Sequence, residues 1–501
     1  MILIKTIDLA AALLLSSFLV ACTSELNDRP TSEVREVPAD LLIEEVTVID
    51  AVHGLRRGMD VFISGNMISA VLEHNVPSKI SARKIVNARG KYLIPGLWDA
   101  HVHTTFTPAL SEGMVDLFIA NGITSIRDTG GQLGSVLAWR EMSKHKGGPT
   151  VYIAGPLIDG TPTVYDGKIK HYPEISISAA TPQQVILAVD DLAAAGVDLI
   201  KAYEMLSPAA FRALIVQAAK HGLPVTGHVP LSMTAVEAAQ AGLKSMEHMR
   251  NLEMDCSSRA PELFTQRQRL LLHESSKPGS NLRSEIHSAQ HFEAVRTYDA
   301  DRCALVLQQL LTHDVWQIPT ATLMFASLEP YYVEEQWRKT FDFLPKDVRK
   351  AWLASTDRYK QSLQEVSPAR QQRARVADWK KQMVKQFVEV GIPIMAGTDT
   401  PIFFLTPGFS LHKELQTLVS AGMTPLQVLE SATLAPAKYF GIDDKQGVIS
   451  PNMLADLVLL NSNPLNLIAN TSDIHSVIRQ GELLARGQLD QRLKRAKRAG
   501  R

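Results

Sequence analysis

At 501 residues the chain is too long for one small hydrophobic core, and a large domain with a smaller addition is expected. Apolar residues make up 45%, as in ordinary globular proteins. Lys and Arg (52) balance Asp and Glu (52), which excludes bulk attraction to nucleic acid or to an anionic surface.

The chain opens with a minimal positive charge, Lys5, and after Asp8 a run of apolar and small residues from Leu9 to Val20. That run is too short to span a bilayer comfortably and reads as a processing signal. Its end, Leu19-Val20-Ala21-Cys22, resembles the lipobox of bacterial lipoproteins. The expectation is removal of the residues before Cys22, lipidation of Cys22 and a polar tether from 23 to 40. Thr23 stands where an aspartate would resemble an inner-membrane retention signal, so the outer membrane is the expected address. An ordinary cleaved signal with an incidental cysteine is the alternative. Cys256 and Cys303 remain; an exported compartment permits a disulfide, but sequence does not say that they meet.

Residues 41–95 read as short strands with turns, and strand character returns in 446–490. Each stretch is too small for its own core, so one discontinuous β-sandwich is expected. Between them, in 96–445, strands alternate with helical patterns, the signature of βα units in an α/β fold. Eight barrel strands are assigned near 92–97, 123–127, 151–154, 198–203, 224–228, 245–248, 316–322 and 394–399. Helical periodicity is clear in Gln183–Ala195, Pro208–His221 and Leu411–Ala421. Two long insertions, 249–315 and 323–391, suit lids or pocket walls. The basic run 491–501 reads as a solvated tail.

Several apolar runs end in residues that suit a metal. Leu97-Trp98-Asp99-Ala100-His101-Val102-His103 places two imidazoles at i, i+2, on one side of a strand. Lys201, His228, His248 and Asp399 close four further runs. Singly, each is an ordinary polar strand end. Together, parallel barrel strands would deliver all six to one face. Lys201 also admits a plainer reading, a buried lysine paired with Asp399 or another carboxylate. Tyr203 lies i+2 from Lys201, where its hydroxyl could polarise a substrate carbonyl. Arg250 could grip a substrate carboxylate or stand on the surface, and Thr320 and Thr322 are candidate pocket walls. His412 reads as structural; His221, His313 and His475 read as bystanders.

The stretch Pro95-Gly96-Leu97-Trp98-Asp99-Ala100-His101-Val102-His103, with Ala396-Gly397-Thr398-Asp399, Ala432-Thr433-Leu434-Ala435-Pro436-Ala437 and Ala455-Asp456-Leu457-Val458-Leu459-Leu460, resembles the amidohydrolase superfamily. The likeness is strongest to its imidazolonepropionase-like and Xaa-Pro or Xaa-Arg dipeptidase-like branch, over roughly residues 41 to 490. One departure touches a turn: Pro451-Asn452-Met453-Leu454 replaces the usual glycine-bearing segment. The resemblance implies a (β/α)₈ barrel with two divalent ions, zinc above all. It implies one ion on His101, His103, Lys201 and Asp399, the second on Lys201, His228 and His248, and a hydroxide between them. Lys201 would be N6-carboxylated, its amine neutralised by burial. Asp399 would relay a proton to the leaving nitrogen.

The reaction implied is hydrolysis of an amide or peptide-like C–N bond in a small molecule such as a dipeptide or N-acyl amino acid. A cyclic amide, lactone or ester is the rival substrate. A non-catalytic binding lipoprotein is the rival of another class; it has no need of Asp399 beside a full set of ligands.

Overall fold

The computed structural model describes residues 37–76, 80–169, 172–274, 276–365 and 367–499. The lipobox-like segment and Cys22 lie outside them. The two flanks of the chain share one sheet. Glu482–Ala485, Ile474–Arg479 and Leu457–Leu460 from the C-terminal side continue into Tyr92–Pro95, Val37–Asp50, Gly54–Ser64 and Met67–Glu73 from the N-terminal side. Ile80–Asn87 also pairs with Val37–Asp50, in parallel. The long strand accepts two partners along one edge, Ile80–Asn87 near its start and Tyr92–Pro95 at Thr47 and Val48. Val46, Val48, Val61, Leu93, Leu457 and Ile478 bury together, so neither flank has a core without the other.

Between the flanks lies the (β/α)₈ barrel. Leu97–Val102, Ile123–Asp128 and Thr150–Ile153 pair in parallel, as do Ile200–Ala202, Val225–Gly227, Ser245–Glu247 and Trp316–Ile318. Backbone hydrogen bonds outside the regular ladders join these arcs. Asp198 N donates to Ile153 O (2.9 Å), Met395 N to Gln317 O (3.0 Å) and Ala100 N to Ala396 O (2.9 Å). The eighth stave, around 394–400, forms no regular ladder and pairs with its neighbours at the isolated bridges Gln317–Ile394 and Val102–Thr400. Pro393 cannot donate to a ladder there. Strand seven ends earlier than the pattern predicts: after Ile318 comes Pro319, and Ala321–Met324 is already helical.

The three periodic helices are found at Pro182–Ala194, Pro208–Lys220 and Phe409–Ser420. The first two carry proline in the first turn and a hydroxyl N-cap, Thr181 and Ser207, which fixes where each begins. The insertion 249–315, irregular as a sequence, folds mainly into helices Ala260–His273, Gly279–Arg296 and Ala300–Thr312. The structure pairs Cys256 with Cys303 in a buried disulfide.

The expected basic tail is not solvated over its first part. Arg486–Ala496 is a helix whose Leu489 and Ala496 are buried. Arg492 and Arg495 both reach Asp116, at 2.9 and 2.8 Å. Charge counting missed this because the run's neutralising partner lies far back in the sequence.

The disulfide spans 47 residues. Closing a loop of that size removes unfolded-state entropy equivalent to about 4 kcal/mol. Cys256→Ala with Cys303→Ala should therefore lower the unfolding midpoint well below that of the oxidised protein. Denaturant titration of the two forms, monitored by circular dichroism, measures the shift.

Candidate active site

All six predicted strand-end residues converge on one cavity of about 200 Å³. It is lined by His101, His103, Lys201, His228, His248 and Asp399, with Tyr203, Arg250, Arg283, Tyr165 and Phe106 around them. The strands do not simply stop there. His248 (φ 62°), Thr320 (φ 44°) and Asp399 (φ 66°) are left-handed, a conformation costly outside glycine. Backbone hydrogen bonds hold two of these turns: His248 N donates to Ile318 O (2.8 Å) and Asp399 N to His101 O (2.7 Å). Gly397 permits the close passage of the eighth stave, since a Cβ there would sit 2.8 Å from His101 Cβ.

The four imidazoles share an arrangement. Each commits Nδ1 to a neighbour: His101 to Glu247 (2.5 Å), His103 to the Gly130 carbonyl (2.8 Å), His228 to Glu204 (2.5 Å) and His248 to Thr320 Oγ1 (2.7 Å). Nε2 is left for the cavity. His101 Nε2 and His103 Nε2 lie 3.4 and 3.2 Å from Asp399 Oδ1, and His248 Nε2 lies 3.7 Å from Oδ2. Ligand atoms of His101, His248 and Asp399 fall within 4.8 Å of one another. The His228 and His248 rings are 5.0 Å apart.

Electrostatics favour the protonation states that a cation needs. Burial holds His228 and His248 well below the usual imidazole range, so both are neutral donors. Burial works against the charge on Asp399, but the imidazoles of His101, His103 and His248 outweigh it and keep the carboxylate ionised. Burial, helped by Arg127, brings Lys201 down to about 8, against the opposing pull of Glu247. Lys201 Nζ and His101 Nε2 are buried without a hydrogen-bond partner among the described residues. Lysine paired to Asp399 is therefore not what the structure has. Orphaned donors facing a carboxylate, with second nitrogens anchored, fit a divalent cation site.

The remaining candidates divide. Tyr203 lines the cavity, its ring 4.5 Å from His228, and burial raises its phenol well above the usual range, keeping it a proton donor. Arg250 lines it too, 3.9 Å from Glu204. Thr320 and Thr322 are not pocket walls. Thr320 orients His248, while Thr322 N donates to Glu414 (2.7 Å) and its hydroxyl meets Thr417 (3.1 Å). His412 is structural, bridging Thr471 and the Asn121 carbonyl. His221 is paired with Asp190 at the surface.

Sequence reasoning passed over Glu247, Glu204, Arg127 and Arg283. Glu247 links His101 to Arg127, whose guanidinium also donates to Ala100 O (2.5 Å). Glu204 holds His228 and meets Arg283 (2.9 Å) and His287 (2.8 Å). The signal for the two glutamates was adjacency: Glu247 precedes His248, and Glu204 follows Tyr203. Arg283 sits on an insertion helix and gave no signal.

Residues 319–484 match the model of the amidohydrolase family. An adenine deaminase of Klebsiella pneumoniae (strain 342) is 34% identical over 102 residues, which is 20% of this chain and 17% of that protein. The chain thus matches only a small share of that relative's length. Solved structures cover the fold more fully. A Xaa-Pro dipeptidase with methionine in its active site superposes with a TM-score of 0.63 at 19% identity, over 89% of this chain and 99% of that one. Bottromycin amidohydrolase gives 0.63 at 21% identity, over 91% and 90%.

Thr320→Val keeps the shape but removes the hydroxyl that fixes the His248 ring. Losing such a partner typically costs about 10- to 100-fold in metal affinity or activity. If the site takes a divalent cation, chelator competition should show it bound more weakly by at least that lower factor, with circular dichroism unchanged.

Proposed function

We propose that this protein is a metal-dependent hydrolase of the amidohydrolase superfamily, cleaving an amide or peptide-like C–N bond of a small molecule. One observation carries the reading: four imidazoles with Nδ1 engaged face one cavity with Asp399 and the unpartnered amine of Lys201. His101, His103, Lys201 and Asp399 would hold one divalent ion, and Lys201, His228 and His248 a second, with zinc the ion this donor set suits. Lys201 would do so as its N6-carboxylated form, for which a buried amine with a lowered pKa is the precondition. When bound, the ions lower the pKa of water and polarise the scissile carbonyl.

The chain's own groups supply the rest. Asp399 takes the proton released as water attacks the carbonyl carbon, then passes it to the nitrogen as the C–N bond breaks. Its carboxylate is positioned by three imidazoles and ionised before attack. The Tyr203 phenol, protonated at neutral pH, can donate to the carbonyl oxygen as negative charge gathers there. The purified protein should contain close to two divalent ions per chain. Elemental analysis that finds none, even after reconstitution with zinc, rejects the assignment.

Lys201 and Asp399 are separable. Lys201→Ala should lose metal together with activity, and short carboxylic acids should restore part of both. Asp399→Asn should retain metal in part while turnover falls by at least the roughly 10²-fold associated with general acid–base help. Wild-type turnover by Asp399→Asn would remove the proton relay. We also propose lipidation of Cys22 and an outer-membrane location, resting on Leu19-Val20-Ala21-Cys22. Mass spectrometry of membrane fractions checks this; an unmodified Cys22 overturns it.

A further inference from the structure

The metal-facing cavity, about 200 Å³, is smaller than the roughly 300–1,000 Å³ of ordinary ligand pockets, so it holds the scissile group and little more. Two further cavities share its walls. The first, about 1090 Å³, shares Phe106, Tyr165 and Ile402 with it and continues over Trp352, Tyr359, Phe403 and Phe404. The rings pack edge to face, with Tyr359 5.2 Å from Phe403 and Trp352 5.7 Å from Phe404. Phe403 (φ 48°) and Phe404 (φ 67°) are both left-handed, which bulky residues avoid. Buried donors hold that backbone: Tyr331 Oη donates to Phe403 O (2.6 Å) and Trp337 Nε1 to Phe404 O (3.1 Å). Tyr359 nevertheless remains 40% exposed. Strained backbone that fixes a partly open aromatic wall beside a reaction centre is the mark of a binding surface.

The second cavity, about 410 Å³, lies on the other side of Arg250 and Met324, which it shares with the reaction cavity. Its lining carries Arg250, Lys380 and Arg373, with His287 and His291, and no carboxylate. Arg250 Nε has no hydrogen-bond partner among the described residues and only a long ion pair, 3.9 Å, with Glu204. Lys380 is 4% exposed and donates only to the His248 carbonyl (3.2 Å) and Met324 Sδ (3.3 Å). No carboxylate pairs with its Nζ among the described residues. Lys380 is buried and Arg250 partly so. Two cationic side chains so weakly paired, beside a partly open space whose lining holds no carboxylate, favour an anion.

Resting on the hydrolase reading above, we propose that the substrate is two-ended: an aromatic group in the Phe403–Phe404 vestibule, a carboxylate in the Arg250–Lys380 chamber, and the scissile amide between them. The two insertions supply this selectivity. Residues 249–315 give Arg250, His287 and His291, and 323–391 give Trp352, Tyr359 and Lys380.

The test uses the zinc-loaded protein with N-phenylacetylglycine, N-acetylglycine and N-phenylacetylglycinamide. Removing the ring or the charge should each lower kcat/KM by at least about 10-fold, the scale of burying one aromatic group or pairing one charge. Tyr359→Ala with Trp352→Ala should erase the preference for phenylacetyl over acetyl. Lys380→Met should erase the preference for the acid over the amide. Each preference is a ratio within one variant, so partial loss of folded or metal-loaded protein cancels. A wild-type ratio near one, or a preference that survives its variant, overturns the proposal while leaving the hydrolase reading intact. If no amide is cleaved, calorimetry with the ketomethylene analogues, CH2 in place of the scissile NH, reads the same two preferences as affinities. Preferences lost with the same variants then uphold the two-ended site although the hydrolase reading fails, and equal affinities overturn it.

Discussion

Everything at the site depends on two buried carboxylates, Glu247 and Glu204, each set between an imidazole and an arginine. Glu247 lies between His101 and Arg127, and Glu204 between His228 and Arg283. An ionised carboxylate inside a barrel is tolerated only when paired and hydrogen-bonded. Burial opposes the charge on both, yet their cationic neighbours keep both acids well below the usual range. A fixed negative charge on the far side of each ring dictates which nitrogen carries the proton. Nε2 is thereby left as a lone-pair donor toward the cavity. Thr320 and the Gly130 carbonyl do the same for His248 and His103 without adding charge.

The backbone contributes a second constraint. Left-handed turns at His248, Thr320 and Asp399 fall where three staves leave the barrel, and ladder-type hydrogen bonds to neighbouring staves hold those at His248 and Asp399. Such turns cost of order 1–3 kcal/mol each and persist only where the surroundings over-determine them. They bring His248 and Asp399 together beside His101, whose Nε2 faces the carboxylate and whose ring lies 4.7 Å from that of His248. Asp99 completes the scaffold beneath. It accepts from Thr398 N (2.9 Å) and Oγ1 (2.7 Å), tying the first stave to the last, and burial pushes it up to about 8. Removing that tie would loosen the junction on which His101 and Asp399 meet.

The cavity-facing residues were legible because strand periodicity forces them to be. Side chains at i and i+2 share a face, so His101 with His103, and Lys201 with Tyr203, could be placed before any coordinates. The eight staves were legible for the same reason, with three departures. The first runs from Leu97 to Val102 rather than 92–97, because Tyr92–Pro95 pairs with Leu457–Leu460 in the flanking sheet. The seventh ends early at Pro319, and the last is ladder-poor after Pro393. Long-range pairing was not legible. Nothing local announces that Asp116 waits for Arg492 and Arg495, or that Cys256 faces Cys303. Thr320 misled for a subtler reason: a hydroxyl at a strand end suits a pocket wall, but the left-handed turn swings it onto His248.

This division between barrel and insertions has a physical basis. The reacting atoms need donors held to within a fraction of an ångström, which rigid staves with buried ion pairs can supply. The flanking groups of a substrate need only shape and charge, which helices stacked over the barrel mouth supply without disturbing the staves. Lys380 shows how the two layers touch. Its Nζ meets the carbonyl of His248, so the insertion helix Pro368–Val390 rests directly on a residue of the reaction cavity. An ion or substrate group that repositioned Lys380 would act on His248 through that contact. Selection by the insertions and chemistry in the barrel are joined at that hydrogen bond.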